Sequence, residues 1–184
     1  MKFSHSDCLT MDSPNSSIGS ATSDHPILPK KKNTPIAYLT RCETFCAGHR
    51  VHNPSLDDET NRSLFGKCNN SHGHNYKVEV TIKGPVDRTT GMVINLLELR
   101  DIMTMVIEPL DHRQIDQDID YFESTGIVST AENIAVYMWN KISKLLPHTT
   151  TMVNLRLYET DKHYIDYKGE LEDCSEESID GDVN

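Results

Sequence analysis

The feature that most constrains this chain is residues 68–83, where a thiol and a His-Gly-His motif run into a strand pattern. From Tyr76 onward, apolar and polar residues alternate without a break, which is the period of a β-strand with one buried face. Side chains two positions apart on a strand point to the same side, so His72 and His74 are predicted to lie together at its start. Such a pair suits a metal such as zinc, which in catalytic sites takes a third protein ligand.

The third ligand is predicted at the end of an earlier strand. Residues 36–50 are rich in β-branched and aromatic side chains, which favours a strand, and Phe45, Ala47 and His49 share one side of it. A histidine at the end of an apolar strand face is often a core or edge residue. Because the His-Gly-His motif supplies two possible partners, the sequence favours His49 as a metal ligand.

Strand and helix patterns alternate along the middle of the chain. Strands are predicted at residues 36–50, 74–83, 151–160 and 164–168, the first two as a hairpin or meander. One helix is predicted from the N-cap Asn95 to about residue 108, and another from a capping box at residues 129–132 to Pro147. A short helix is predicted at residues 61–65.

Composition and charge exclude several classes of protein. At 184 residues the chain is predicted to form one domain. Its formal net charge of −10 argues against nonspecific binding to nucleic acid or to an anionic membrane. The five cysteines are odd in number and irregularly spaced, unlike a secreted disulfide framework. Since no signal-peptide pattern and no run of about 18 apolar residues occurs, a soluble cytoplasmic protein is expected.

The two ends of the chain differ in composition from the middle. Residues 1–35 are rich in Ser, Pro, Asp and Asn without a hydrophobic period, and residues 171–184 carry six acids and no base. Neither segment can bury enough apolar surface to offset the entropy lost on ordering. Both are predicted to be disordered, with the lysine cluster at 30–32 in a solvated linker, and residues 36–170 are predicted as the folded domain.

An Asp-His pair is a candidate for acid–base chemistry. Asp111 and His112 follow a helix that ends at Pro109. Such neighbours are common as a surface loop pair. They can also act as a general acid–base pair, because a nearby carboxylate raises the basicity of an imidazole. The residues themselves leave both interpretations open.

Glu159 is a carboxylate on a strand face that leans toward the core. It shares the parity of Val153, Leu155 and Leu157 in the predicted strand at residues 151–160. An inward-pointing acid is costly without a partner, so it is predicted either to pair with a cation or to accept from a ligand's donors.

Six motifs within residues 36–170 carry a resemblance to a known family. They are Phe45-Cys46-Ala47-Gly48-His49-Arg50, Phe65-Gly66-Lys67-Cys68-Asn69-Asn70, His72-Gly73-His74-Asn75-Tyr76, Pro109-Leu110-Asp111-His112, Ser129-Thr130-Ala131-Glu132-Asn133 and Tyr158-Glu159-Thr160. In this order they resemble the 6-pyruvoyl-tetrahydropterin synthase family. The resemblance implies an α+β T-fold (tunnelling fold), in which a four-stranded antiparallel sheet packs with two helices.

The resemblance also implies an assembly and a reaction. Three subunits would close a twelve-stranded barrel, two such trimers would stack as a homohexamer, and the active sites would lie between subunits. The implied substrate is a small-molecule pterin triphosphate, 7,8-dihydroneopterin triphosphate. The implied products are 6-pyruvoyl-tetrahydropterin and inorganic triphosphate, in tetrahydrobiopterin biosynthesis.

Carried over to this chain, the family's motifs assign the metal and the base. His49, His72 and His74 would bind Zn²⁺ and leave one position open for the substrate's hydroxyl groups. Cys68 would be the base, as a thiolate. Spacing alone also permits Cys68 as a fourth metal ligand that closes a structural site.

The family's motifs also assign the remaining groups. Asp111 and His112 would assist as a proton relay from a neighbouring subunit. Glu159 would hold the amide and amino donors of the pterin ring, helped by backbone near Thr130.

Two alternatives to this activity fit the same sequence. One is 6-carboxytetrahydropterin synthase, a sister activity on the same scaffold that also releases a two-carbon fragment. The other is a non-catalytic, zinc-stabilised barrel that binds pterins or partners. The sequence setting of Cys68 and the Tyr158-Glu159-Thr160 ending favour the pyruvoyl-forming lyase, and a structural site would have no need for a spare thiol.

Overall fold

Four antiparallel strands form one sheet in the order β1-β2-β3-β4 in a computed structural model that describes residues 33–172. The strands are β1 (Ile36–His49), β2 (His72–Pro85), β3 (Thr151–Thr160) and β4 (His163–Tyr167). The predicted meander is therefore confirmed. Apart from their inner ends, the predicted N-terminal extension and acidic tail lie outside the described residues, and their disorder stays a prediction.

Five helices connect or cover the strands in the described part of the chain. They are α1 (Asp58–Phe65), α2 (Leu96–Ile107), α3 (Ile115–Asp118), α4 (Asp120–Thr125) and α5 (Ala131–Leu145). A 3-10 turn, Gly66–Asn69, follows α1 directly. Within residues 33–172, no helix has the length and apolar character needed to cross a bilayer.

The core lies between one face of the sheet and the helices α2 and α5. The alternation of β2 places its apolar residues on that face, where Tyr76, Val78, Val80 and Ile82 are fully buried. The apolar stripes of α2 and α5 meet this face through buried residues that include Leu99, Met103, Ile134, Met138 and Ile142. The sheet therefore has one buried face, as the period-2 pattern predicts.

The opposite face of the sheet is polar. Thr40 and Thr81 hydrogen bond across β1 and β2 at 2.8 Å between their hydroxyl oxygens. Between β3 and β4, Arg156 forms a two-point ion pair with Asp166, at 2.8 Å from Nε and 2.7 Å from Nη2. Cross-strand pairs of this kind stabilise a solvated sheet face.

The prediction that Val153 lies on the buried face is wrong. The pairing of β2 with β3 shifts register between Thr81 and Ile82, so that Ile82 pairs with Met152 while Thr81 pairs with Asn154. One extra residue of β3 is accommodated there, which reverses the facing of earlier side chains. Met152 is buried in place of Val153, whereas the parity predicted for Leu155 and Leu157 holds.

The helix boundaries also correct the sequence predictions. The helix α1 begins three residues earlier than predicted, because Asp57 caps it by accepting from the N–H of Thr60 at 2.8 Å. The helix α5 is capped by Thr130, which accepts from the N–H of Asn133, instead of by Ser129. The helices α3 and α4 were missed, since four and six residues are too few to show a helical period.

Candidate metal centre and active site

Three histidines meet where β1 ends and β2 begins. The antiparallel register sets His49 opposite His72 and Ala47 opposite His74. One ligand nitrogen from each of the three histidines lies within 4.8 Å of the others. Their ring centroids are 4.5–5.2 Å apart. The structure thus brings together the three histidines that the sequence singles out, and this cluster could hold a metal ion.

Backbone carbonyls fix the orientation of two of these rings. His49 Nδ1 lies 2.6 Å from the carbonyl oxygen of Ser129, and His72 Nδ1 lies 2.8 Å from that of Asn70. A carbonyl only accepts, so each Nδ1 donates and each Nε2 is the nitrogen left to bind a metal. This is how metal-binding histidines are usually held.

The free nitrogens of the cluster are buried without a hydrogen-bond partner. Among residues 33–172, Nε2 of His49 and Nε2 of His74 have none. Burial lowers the pKa of both imidazoles, which keeps them neutral near pH 7. Unpartnered buried nitrogens are costly, and a neutral imidazole is the form that binds a metal. The donor set therefore fits a metal ion.

Glu159 lies against the histidine cluster. Its Oε1 is 3.6 Å from Nε2 of His49 and 3.6 Å from Nε2 of His74. The side chain is 28% exposed, so part of the carboxylate stays open to a ligand. The predicted orientation of Glu159 toward the core side of the sheet is confirmed.

Cys68 lies on the 3-10 turn that precedes β2. It is exposed and is a free thiol. In the described part of the chain the group of potential metal-ligand atoms comprises only the three histidines, and Cys68 lies outside it. The arrangement of His49, His72 and His74 therefore leaves room for a fourth ligand from elsewhere.

Asp111 and His112 form a pair on the connection between α2 and α3. Asp111 Oδ2 lies 2.9 Å from His112 Nδ1, and Asp111 Oδ1 accepts from the N–H of Cys46 at 2.8 Å. The Cys46 N–H holds the pKa of the Asp111 carboxyl below its usual range, and the His112 contact lowers it further. The carboxylate is thus ionised and orients the imidazole.

The His112 side chain points away from the body of the protein. It is 78% exposed, and its backbone has a φ of 59°, in the left-handed region that only a small share of non-glycine residues adopts. Its N–H donates to the carbonyl of Cys46. Within residues 33–172, neither Asp111 nor His112 hydrogen bonds to Cys68 or to the histidine cluster. His112 lines a cleft of about 600 Å³ that Cys46, Arg113 and the candidate metal ligand His74 also line.

Thr130 lies beside a residue that orients a candidate metal ligand. Thr130 caps α5, and its neighbour Ser129 is the residue whose carbonyl orients His49. The supporting carbonyls of Ser129 and Asn70 were missed by sequence reasoning. Every residue carries a carbonyl, so no side-chain pattern marks these two.

A four-stranded antiparallel meander packed on two long helices, with three convergent imidazoles at one end of the sheet, defines a T-fold enzyme with a candidate metal centre. The family model described as 6-pyruvoyl tetrahydropterin synthase matches residues 38–170. The chain belongs to this family of lyases.

Individual relatives agree with this assignment. The 6-pyruvoyl tetrahydrobiopterin synthase of Drosophila melanogaster is 49% identical over 138 residues, which cover 73% of this chain and 81% of the relative. The Homo sapiens enzyme of that name is 47% identical over 137 residues, covering 73% and 92%. The solved structure of Caenorhabditis elegans 6-pyruvoyl tetrahydropterin synthase is 40% identical with a TM-score of 0.70, covering 74% of this chain and 98% of that one.

Proposed function

We propose that this chain is a zinc-dependent lyase of tetrahydrobiopterin biosynthesis that converts 7,8-dihydroneopterin triphosphate to 6-pyruvoyl-tetrahydropterin and inorganic triphosphate. The observation that carries the proposal is the histidine cluster with two buried, unpartnered Nε2 atoms, in a chain of the matching family. Reduction of the pterin ring and oxidation of the side-chain hydroxyls balance within the substrate. No external redox cofactor is needed.

His49, His72 and His74 would hold the zinc ion. Burial, which lowers the pKa of His49 and His74 and keeps these two rings neutral, supports this role. The Nδ1 contacts of His49 and His72, which direct their Nε2 atoms into the cluster, support it as well. When bound, zinc supplies Lewis-acid polarisation of the substrate's hydroxyl oxygens, which makes the neighbouring protons easier to remove.

Cys68 would act as the general base. Its Sγ, as a thiolate, takes a proton from a carbon of the substrate side chain. Its exposure and its place outside the group of metal-ligand atoms support this role over that of a fourth ligand. A closed shell of three histidines and a thiolate would leave no position for the substrate.

Asp111 and His112 would return protons in the active site of a neighbouring subunit. In its own chain this pair is oriented by Cys46 and directs the imidazole outward, which suits a group that acts on a neighbour. The assembly we propose is a homohexamer, a dimer of two trimers that each close the sheet into a barrel. Closure would pair the outer strands β1 and β4 across subunits, and unpaired strand edges are otherwise a liability.

Glu159 would bind the pterin ring. Its part-exposed carboxylate beside the metal ligands can accept from the ring's amide and amino hydrogens, with backbone near Thr130 assisting. This anchor would set the substrate side chain over the open metal position.

The folded catalytic domain is proposed to span residues 36–170, with the two tails outside it and the cytoplasm as its compartment. The three cysteines of the described residues, Cys42, Cys46 and Cys68, are free, as expected where thiols stay reduced.

The mass of the pterin product tests the proposal. Purified protein with zinc should convert 7,8-dihydroneopterin triphosphate to 6-pyruvoyl-tetrahydropterin with release of triphosphate. A carboxylated pterin that has lost two carbons would instead identify the sister activity. A zinc-loaded protein that binds the substrate without turnover would be a binding module.

A further inference from the structure

The turn that carries Cys68 is tied to the segment that follows the metal ligand His49. We define the Cys68 turn as Gly66–Asn69. A 3-10 turn of four residues has weak internal hydrogen bonds and cannot by itself hold a side chain in one place. Cys68 is also exposed, so packing does not fix it. Its position must come from contacts that its neighbours make.

Three contacts hold this turn from outside. The N–H of Val51 donates to the carbonyl of Cys68 at 2.9 Å. Arg50 Nε donates to the carbonyl of Asn69 at 2.7 Å, and His52 Nδ1 lies 3.2 Å from Asn69 Oδ1. Asn69 itself is buried, at 6% exposure. The three consecutive residues that follow His49 in the sequence therefore all contact either Cys68 or Asn69.

The backbone of Arg50 is itself held by residues near the metal centre. The N–H of Arg50 donates to Asp116 Oδ1 at 2.9 Å, and its carbonyl accepts from the hydroxyl of Ser129 at 3.3 Å. Ser129 is also the residue whose carbonyl orients His49. Both the N–H and the carbonyl of Arg50 are therefore hydrogen bonded. This restricts movement of the Cys68 turn relative to the metal ligands.

We propose that Arg50 is a positioning residue, which sets the distance between the Cys68 thiol and the metal-bound substrate through its bond to the carbonyl of Asn69. The inference rests on the proposed function, in which Cys68 is the base. A general base acts directly only when its heavy atom lies within about 2.6–3.2 Å of the atom whose proton it takes. A misplacement of about 1 Å can cost roughly 100-fold in rate.

The chemistry of the contact favours arginine over lysine. Nε of a guanidinium is a fixed donor within a rigid plane, whereas a lysine ammonium sits at the end of a flexible stem. The acceptor is a backbone carbonyl, so the contact can be removed only from the Arg50 side. Because lysine keeps a donor and the positive charge, Arg50→Lys should retain more activity than Arg50→Ala.

The test compares Arg50→Ala and Arg50→Lys with Arg62→Ala, a control on an exposed arginine of α1. For Arg50→Ala we expect unchanged zinc content, a kcat about 10-fold to 100-fold lower and a KM within about threefold of the wild type. Hydrogen exchange should rise in residues 66–70 and stay unchanged in β2. Arg50→Lys should lie between Arg50→Ala and the wild type, and Arg62→Ala should match the wild type.

Other outcomes would overturn the positioning role. Loss of zinc would make Arg50 a support of the metal site, and a raised KM with unchanged kcat would make it a substrate contact. An unchanged kcat with unchanged exchange would make the contact incidental. If Arg50→Ala fails to fold, Arg50→Lys and His52→Ala decide by the same readouts. A wild-type protein without turnover would refute the proposed function. In that case hydrogen exchange in residues 66–70, compared between Arg50→Ala and the wild type, still tests whether Arg50 holds the Cys68 turn.

Discussion

At the scale of single residues, the histidine cluster shows which parts of a site a sequence can reveal. The period-2 rule places His72 and His74 on one face, and the strand end adds His49. The same rule cannot reveal the carbonyl of Ser129, which is 80 positions from His49 and meets it only through folding. Side-chain patterns thus predict the candidate ligands, whereas their orientation depends on tertiary contacts.

The first residue-scale prediction concerns the metal. His49→Ala removes one of three ligands and leaves a buried cavity, so bound zinc and activity should be lost together. His148→Ala, which changes an exposed histidine outside the cluster, should keep both. Metal analysis of the purified variants checks this, and full zinc occupancy in His49→Ala would contradict the assignment.

A second residue-scale prediction separates base from ligand. Cys68→Ala should keep its zinc and bind the pterin, while turnover falls by about 100-fold or more, as for loss of a general base. Cys42→Ala, at another exposed thiol, serves as the matched control. Loss of zinc from Cys68→Ala would make the thiol a ligand and the site structural.

The lowered pKa values of His49 and His74 predict a pH dependence of the metal-free protein. Between the lowered folded pKa and the unfolded value of about 6.5, the unfolded chain binds more protons, so stability rises with pH. The free energy of unfolding should therefore be highest above this pH window and fall as the solution is acidified through it. Melting temperatures of the chelator-treated protein test this, with His74→Asn expected to flatten the profile. A melting temperature that rises on acidification would contradict it.

At the scale of elements, residues at and just after the end of β1 contact each part of the candidate site. Cys46 holds Asp111 and His112, His49 joins the metal cluster, and Val51 bonds to Cys68. The sequence predicts this strand from its composition. It does not predict the short helices α3 and α4 or the bonds of Arg50, because these depend on pairing between distant segments. The register shift in β3 is a further example, since nothing local marks the extra residue at Val153.

The cap of α5 gives an element-scale prediction. Thr130 accepts from the N–H of Asn133 at the start of this helix, and Ser129 beside it orients His49. Thr130→Ala should lower the free energy of unfolding by about 1 kcal/mol, as is usual for loss of an N-cap. Thr130→Ser should recover it, and Thr149→Ala, at an exposed threonine, should have no effect. Urea unfolding of the four proteins measures this, and an unchanged Thr130→Ala would show that the hydroxyl contributes no cap.

At the scale of the whole molecule, the sheet has the features expected of one subunit's part of the proposed barrel. One face is covered by helices and the other is polar, with Arg156 and Asp166 paired across it, and β1 and β4 are the outer strands. The Asp111 and His112 pair makes no bond to Cys68 within residues 33–172. In the proposed hexamer a neighbouring subunit would complete the acid–base set, which a sequence pattern alone could only suggest through the family it resembles.

Mixed oligomers test whether the site is shared. Cys68→Ala and His112→Ala should each be nearly inactive alone, because each lacks one proton-transfer group at every site. In randomly mixed hexamers, each site takes Cys68 from one subunit and His112 from its neighbour, so about a quarter of the sites should be complete and activity should return.

Two controls accompany this experiment. Solution scattering should give a hexamer for each variant and for the mixture. Mixing Cys68→Ala with the Cys68→Ala/His112→Ala double variant should restore nothing, since no subunit then carries the thiol. If well-mixed hexamers of the two single variants stay inactive, the two groups act within one chain. An active monomer would refute the shared site and the barrel together.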